Sequence, residues 1–414
     1  MTLTEYHSIC DHLRRIIRGT EWEGHVFAVG GCCRDEVMGR EINDVDLAVD
    51  LQDGGVRFAR WLDRHGRCAS RPVYFERYGT AMLQLRAFRD HEIEIVQTRK
   101  GKYTADNAHN PGSVFGTIED DGLRRDLTVN ALFYDITRRA LLDPTGRALD
   151  DIEARRLQTP MDAALTFFDD PIRILRVIRM AASWGWDIDE PMLRAMREGR
   201  SGLADIKVER RRGELEKMLR SADPVRAMRL VRTVGVMQYL LPELELTYKA
   251  RSRSNTTLWT LALHTLANVR GSDSLSLRLA CLLYTLAETP RVAGKTPAEE
   301  KPSRNGRTDA IDRALRAAYI AEEMLRRLHA HSHFTREVAF LIRNQACSLR
   351  WGDDGRRASD RMLVRLANLC ATPRRLDKLL TFLDAINIAR FPANAPQRTQ
   401  IPNVRKRMKA LKLL

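Results

Sequence analysis

The sequence predicts an α+β protein in which a small mixed sheet with flanking helices is followed by a body made of helices alone. Two patterns predict this. Residues 1–140 alternate short apolar, strand-like runs with helix-like pieces, and from Pro171 onward apolar residues recur at the three-to-four spacing of amphipathic helices. A third observation sets the scale: 414 residues are enough for two or three domains with a sizeable core. No apolar run reaches the roughly 18 residues of a membrane-spanning helix, and no internal repeat is visible.

The elements follow in order. Val26–Val29 is apolar and runs into Gly30-Gly31-Cys32-Cys33-Arg34-Asp35, a turn whose two glycines let backbone approach a phosphate closely. Asn43–Val49 reads as a strand whose alternation puts Asp44 and Asp46 on one face and Val45 and Leu47 on the other. A helical stretch spans Val56–His65, and strands are expected at Thr80–Leu85, Glu92–Gln97 and Ala131–Ile136. Between the last two, Gly101–Gly122 is rich in Asn, Asp, Gly and Pro and reads as a mobile loop. Helices are expected over Pro171–Ser183, Gly213–Leu219 and Pro224–Val236, with Leu240–Leu244 closing the unit. Val292–Thr308, rich in Lys, Arg, Pro, Ser and Gly, reads as a flexible insertion. Helices resume over Ala310–Leu328 and run, with breaks, to a basic tail, Val404–Leu414.

Charge points to a partner class. Lys and Arg number 69 against 54 Asp and Glu, a net charge of +15. That excess suits a polyanion such as RNA; a solvated surface is the plain alternative. Met1–Arg18 is polar and charged, unlike a signal peptide, and the seven cysteines show no C-x-x-C spacing. Reduced thiols in a cytoplasmic protein, with no cysteine-based zinc site, are the expectation.

Asp44 and Asp46 beside a phosphate-binding turn are expected to form a magnesium site for in-line displacement at phosphorus; an ordinary turn and an edge strand with a solvated face are the alternative. A third acidic ligand is expected on a neighbouring strand, where Glu92 and Glu94 share a face; Glu94 is the choice, and a solvated strand face is the alternative. Leu123–Ala131 gathers Arg124, Arg125, Asp126 and Asn130, able to grip phosphates and hydroxyls, or else to form a surface ion-pair patch. In Phe168-Asp169-Asp170-Pro171-Ile172-Arg173-Ile174-Leu175-Arg176, either aspartate could simply cap a helix that starts at Pro171. Asp170 and Arg173 stand three apart and can face one ligand side by side. A carboxylate acceptor beside a guanidinium donor complements the N3 and N4-amino edge of cytosine and the N1 and N6-amino edge of adenine. Uracil and guanine present the reverse pattern.

Six signatures now stand in order over residues 25–245: Gly-Gly-x-x-Arg-Asp, Asp-x-Asp, Arg-Arg-Asp-x-Thr-x-Asn-Ala, Asp-Pro…Asp-Ile, Asp-Asp-x-x-Arg and Glu-Arg…Glu-Leu. Their sequence closely resembles class II tRNA nucleotidyltransferases, the CCA-adding enzymes, whose head bacterial poly(A) polymerases share. The resemblance implies that Asp44 and Asp46 hold two magnesium ions with Glu94 as a helper. It implies that Gly30, Gly31, Arg34, Asp35, Arg124, Arg125, Asp126, Asn130 and Arg176 serve nucleotide binding, and that Asp170 and Arg173 template the base. Asp143-Pro144-Thr145-Gly146 with Asp151-Ile152 looks like the family's hinge, and Gly101–Gly122 falls where the family has its flexible loop. Asp169, which stands where many bacterial members carry Glu, together with Glu209, Arg210 and Glu214, matches residues that brace the template helix.

The implied domains are a catalytic head at 1–150, a helical neck at 151–245 that binds base and RNA, and a helical body and tail at 246–414. The last region departs from many bacterial relatives, which carry a His-Asp metal pair after two leucines. Here Leu282-Leu283 is followed by Tyr284-Thr285, which cannot replace it. His264, His329, His331 and His333 are expected on the surface, and the region reads as a degenerate module used for RNA docking. Arg405-Lys406-Arg407-Met408-Lys409 could contact tRNA phosphates or form a solvated helix face. The implied reaction adds C, C and A from CTP and ATP to the 3′ end of tRNA. A poly(A) polymerase, a CC- or A-only adding enzyme, and a non-catalytic RNA-binding relative are the rivals.

Overall fold

In the computed structural model, residues 1–100, 114–252, 254–289 and 306–414 are described. The expected insertion at 292–308 lies outside them up to residue 305, and so does 101–113 of the expected loop.

Seven strands form one sheet: β1 Val26–Val29, β2 Val45–Val49, β3 Val73–Phe75, β4 Thr80–Leu85, β5 Phe88–Gln97, β6 Phe133–Asp135 and β7 Ala140–Leu142. Their order is β3-β4-β5-β2-β1-β6-β7, and only β2 and β5 pair in parallel. The helices are α1 Leu3–Ile17, α2 Gly31–Val37, α3 Gly54–Arg64, α4 Ile118–Leu123, α5 Ala148–Glu153, α6 Ala163–Asp169, α7 Ile172–Trp184, α8 Glu190–Gly199, α9 Val208–Arg220, α10 Pro224–Val234, α11 Leu258–Ala267, α12 Leu275–Leu283, α13 Gly306–Arg327, α14 Ser332–Arg343, α15 Asp360–Cys370, α16 Pro373–Arg390 and α17 Gln397–Ala410. No helix is long and apolar enough to cross a membrane, among the described residues.

Two compact units result. The first comprises residues 1–177 and 186–202, the second 178–185 and 203–414. In the first, the period-two alternation of the strands separates the sheet's faces. Val45, Leu47 and Val49 of β2 and Ile93 and Ile95 of β5 point into a core with Tyr6, Ile9, Leu13 and Ile17 of α1 and Phe58, Ala59 and Leu62 of α3. The spacing of the α1 residues is that of one helix face, and a reciprocal Thr2–Glu5 capping box starts the helix. Phe27, Val29, Ala48 and Phe133 face the other side. One sheet face thus carries the larger core, and the other carries this smaller apolar cluster together with the polar residues Asp46 and Glu94.

The second unit is helical. Every residue of α12 is buried, as expected of a helix apolar nearly all round. Its one charge, Arg278, donates to the carbonyls of Leu219 and Ser221 at the C-terminal end of α9, at 2.5 and 3.3 Å.

Several expected boundaries move. Asp44 immediately precedes β2, and β5 begins at Phe88, four residues before the expected Glu92. β6 is confined to Phe133–Asp135 because Thr128–Asn130 forms a tight 3-10 turn. The end of the expected loop is the capped helix α4, in which Thr117 and Asp120 bond reciprocally. The basic tail lies within α17, where Arg405 pairs with Asp377 and Arg407 with Asp360. Those two cations are engaged by neighbouring helices.

Candidate active site

β1 ends in a glycine turn. Gly30 adopts φ +75°, a conformation that favours glycine, and a Cβ there would lie 3.0 Å from Arg125 Nη1. Beyond it, α2 carries Cys32 and Cys33, whose buried thiols bond back to the carbonyls of Val29 and Ala28 at 3.3 Å. Arg34 forks onto Asp35 at 2.9 and 2.8 Å and gives its remaining arm to Asn130 Oδ1 at 2.5 Å.

On the polar sheet face the parallel pairing of β2 and β5 sets Asp46 directly opposite Glu94. Burial, then Glu94 and Asp44, push the Asp46 carboxyl up to about 6 against the pull of Arg125 and Arg176. Glu94 is also raised, by partial burial with Glu92 and Asp44, while Arg99 opposes the shift. Among the described residues no three His, Cys, Asp or Glu side chains are gathered tightly enough to enclose a metal ion. The donor set still fits magnesium, which is commonly held by one or two carboxylates together with substrate phosphates.

The Arg-Arg-Asp run follows α4. Arg124 donates to Asp121 Oδ1 at 2.8 and 2.5 Å, and Arg125 to Asp121 Oδ2 at 3.2 and 2.8 Å. Arg125 also lies over the Phe133 ring, 5.2 Å from its centre. Asp126 turns inward. Its Oδ1 accepts the Asn130 amide and the Leu127 N–H at 2.9 Å, and its Oδ2 accepts Arg176 Nε at 2.6 Å. Burial alone would raise the pKa of both aspartates; Arg125 and Arg124 hold Asp121, and Arg176 and Asn130 hold Asp126, below the ordinary carboxylate range. A continuous chain therefore links Arg34, Asn130, Asp126 and Arg176.

Asp170 and Arg173, the expected base-reading pair, each have partners within the chain. Asp170 is extended, at φ −143° and ψ 96°, as a residue before proline must be. Arg173 pairs with Asp169 at 3.3 Å and donates to the Thr166 carbonyl at 3.3 Å. Asp169 thus orients Arg173, and Asp170 Oδ1 accepts the Ile172 N–H at 3.4 Å.

In the second unit, buried Glu214 accepts Arg179 Nε at 2.7 Å, so the C-terminal part of α7 is held by α9. Glu209 bonds His329 at 2.6 Å, and Arg210 lies in the first turn of α9. Asp143 organises the hinge segment, accepting the N–H groups of Thr145, Gly146 and Ala148 at 3.0, 3.1 and 2.7 Å. Asp151 accepts Thr128 Oγ1 at 2.7 Å.

Sequence reasoning missed Asp121 and Arg99. The signal for Asp121 was present, since an acid three and four residues before two arginines is a helical pairing pattern. Arg99 follows β5 by two residues and donates to Thr80 Oγ1 at 3.0 Å; its backbone N–H meets Asp121 at 3.1 Å.

Residues 26–158 match the Poly A polymerase head domain, and residues 185–247 match the probable RNA and SrmB-binding site of polymerase A. Residues 26–158 thus carry a poly(A) polymerase head domain, and the relatives that share it include both CCA-adding enzymes and poly(A) polymerases. Among its relatives, the mitochondrial CCA tRNA nucleotidyltransferase of Candida glabrata is 34% identical over 220 residues, 49% of this chain and 40% of that one. Poly(A) polymerase I of Haemophilus influenzae is 28% identical over 261 residues, 62% of this chain and 56% of that one. The chain matches two-fifths to a half of the length of the curated CCA-adding relatives from yeasts. In fold it resembles the Thermotoga maritima CCA-adding enzyme complexed with tRNA, with TM-score 0.59 and 19% identity over 93% of this chain and 78% of that one.

In the helical body, the Tyr284-Thr285 positions are sealed. Tyr284 is fully buried, bonds Thr265 at 3.0 Å and packs edge-on against Phe382. His264, His331 and His333 lie on the surface.

Proposed function

We propose that the chain is an RNA nucleotidyltransferase that adds C, C and A to the 3′ end of tRNA, using CTP and ATP. The observation that carries this is the register placing Asp46 opposite Glu94, with Asp44 beside them, on the sheet face toward Arg125 and the glycine turn. The RNA 3′-oxygen forms a bond to the α-phosphorus as the bond to the bridging oxygen breaks, and pyrophosphate leaves. Asp44 and Asp46, helped by Glu94, would hold two Mg2+ ions, which lower the hydroxyl pKa and clamp the triphosphate when bound. Gly30 and Gly31 admit the phosphates, and Arg124 and Arg125 supply countercharge. Arg34, Asp35, Asp126, Asn130 and Arg176 keep the phosphate-binding turn and α7 in fixed register. Asp170 and Arg173 read the base, with Asp169 aiming the guanidinium, while Glu209, Arg210 and Glu214 brace the helices behind it.

The head serves as catalytic domain at 1–150, the neck at 151–245 takes base and RNA, and 246–414 docks tRNA, whose phosphates suit the net positive charge. The reaction is placed in the cytoplasm.

The test supplies the purified protein with CTP, ATP, magnesium and a tRNA transcript lacking its last three nucleotides. Growth by C, C and A followed by a stop is expected. Long A tails would make the protein a poly(A) polymerase, and A added only to a CC end would make it a split-activity enzyme. No incorporation would leave an RNA-binding relative. In the same assay Arg173→Ala should narrow the preference for C and A over U and G by about tenfold, since a bidentate base contact carries roughly 1–3 kcal/mol.

A further inference from the structure

Asp121 belongs to none of the signatures in the sequence and has no role in the reading above. It is fully buried, and each of its oxygens takes a different arginine: Oδ1 holds Arg124 and Oδ2 holds Arg125. Oδ1 also accepts the N–H of Arg99, just beyond β5, the strand that carries Glu94. One carboxylate therefore fastens two neighbouring guanidiniums, which would repel each other if left alone, to the chain just beyond the C-terminal end of β5.

The arrangement has a direction. With its Nε and Nη2 on Asp121, Arg125 sends Nη1 to the Asn130 carbonyl at 3.3 Å, beside the position a Gly30 side chain would occupy. Gly122, next to Asp121, permits this approach, because a Cβ there would fall 2.7 Å from Pro144. Two guanidiniums against one carboxylate leave a surplus positive charge at the glycine turn.

We propose that Asp121 is a positioning residue for triphosphate recognition, presetting Arg124 and Arg125 so that they meet the polyphosphate of the incoming nucleotide without rearranging. The inference rests on the nucleotidyl-transfer reading of the site. Preset donors strengthen binding of the group they face and do nothing for the rest of the ligand.

The experiment measures equilibrium binding of CTP and of CMP to the full chain, alongside thermal unfolding. Asp121→Asn keeps the shape but turns one acceptor into a donor against an arginine. It should weaken CTP binding by about tenfold and change CMP binding by less than about twofold, as expected for charge-assisted hydrogen bonds to phosphate. A folded Asp121→Asn protein with the wild-type ratio of CTP to CMP affinity would overturn the proposal. Arg124→Lys and Arg125→Lys give a second route that does not depend on that variant folding. They keep the charge but cannot be held by a fork, and each should show the same selective loss. Wild-type CTP affinity in both lysine variants would also overturn the proposal. Failure of the underlying reading looks different: the wild-type protein would bind neither CTP nor ATP and extend no tRNA.

Discussion

Two sets of carboxylates lie in the first unit, and they behave in opposite ways. Asp44, Asp46 and Glu94 make no ion pair among the described residues, and the pKa values of Asp46 and Glu94 are raised. Asp121 and Asp126 are more deeply buried, yet their pKa values are lowered. Burial therefore does not distinguish the sets; countercharge does. The first set has unmet demand for a cation. The second has used its charge to fix arginines, which then offer positive charge to something else. A site that must bind a metal and a polyphosphate needs both kinds, one to be completed by ligand and one complete beforehand.

The largest effect should come from the incomplete set. Asp46→Asn removes a ligand whose negative charge the folded protein does not balance. Transfer to tRNA should fall by roughly a thousandfold or more, the scale of lost transition-state charge stabilisation. The unfolding midpoint in metal-free buffer should stay level or rise, because a like-charge repulsion is relieved. Activity within a few-fold of wild type after stripping and restoring magnesium would remove Asp46 from the reacting centre.

Arg176→Ala attacks the complete set. It leaves Asp126 buried without its ion-pair partner, which typically costs roughly 3 kcal/mol of stability. Here the expected signature is the reverse of the first: a clear drop in urea midpoint. Asp126→Asn combined with Arg176→Ala should recover part of that loss, since no buried charge remains. If the double variant is as unstable as the sum of the two singles, the pair does not act as a unit.

Much of this comparison was legible in the sequence. β4 appears over the expected Thr80–Leu85, and the expected helix at Val56–His65 appears as Gly54–Arg64, because each has a consistent apolar period. Alternation put Asp44 and Asp46 on one face. What a linear pattern cannot state is the partner strand, so the register of Asp46 against Glu94 came only with the fold. The short edge strands β3 and β7 escaped notice because three residues give no period to read. Asp121 was hidden in a segment whose Asp and Gly content argues for a loop, although its capping box specifies a helix start. The pairing of Arg173 with Asp169 follows from Pro171. Its ring forces Asp170 out of the helical region and leaves the residue four before Arg173 as its neighbour.

Acid titration sharpens the contrast, because the two sets predict opposite slopes in separate windows. In metal-free buffer the folded Asp46 carboxyl binds its proton near pH 6, well above the unfolded value of about 4. Between those values the folded state holds the extra proton, so stability should rise as pH falls from about 7 to about 5. Asp121 and Asp126 have folded pKa values below the unfolded one. Their stabilisation is complete above the unfolded value and is lost as pH falls through the folded values, so stability should drop below about pH 4. Unfolding free energy measured across this range should pass through a maximum. Asp46→Asn should flatten its neutral side and leave its acid side intact; a variant that flattens both would mean the sets are not independent.

The smallest effect is expected where polar side chains are enclosed by packing. Tyr284 and Thr285 follow two leucines in the helical body, and both are fully buried. Tyr284 is well served: its hydroxyl meets Thr265, its ring meets Phe382, and Arg390, paired with Glu288, lies over it at 5.4 Å. Thr285 Oγ1 is buried without a hydrogen-bond partner among the described residues. An unsatisfied buried hydroxyl is unfavourable by about 1 kcal/mol or more on protein mutational scales. Thr285→Val, which keeps the shape and removes the hydroxyl, should therefore leave stability level or raise it by up to about 1 kcal/mol. Tyr284→Phe should lower it by a similar amount, because Thr265 loses that partner while keeping its bond to the Leu261 carbonyl. Neither change should alter nucleotide addition to tRNA. A loss of stability of more than about 1 kcal/mol in Thr285→Val would mean that its hydroxyl is bonded in solution. A large loss of transfer activity in either variant would mean that this sealed core communicates with the chemistry, and the separation between a reactive first unit and a packed second one would fail.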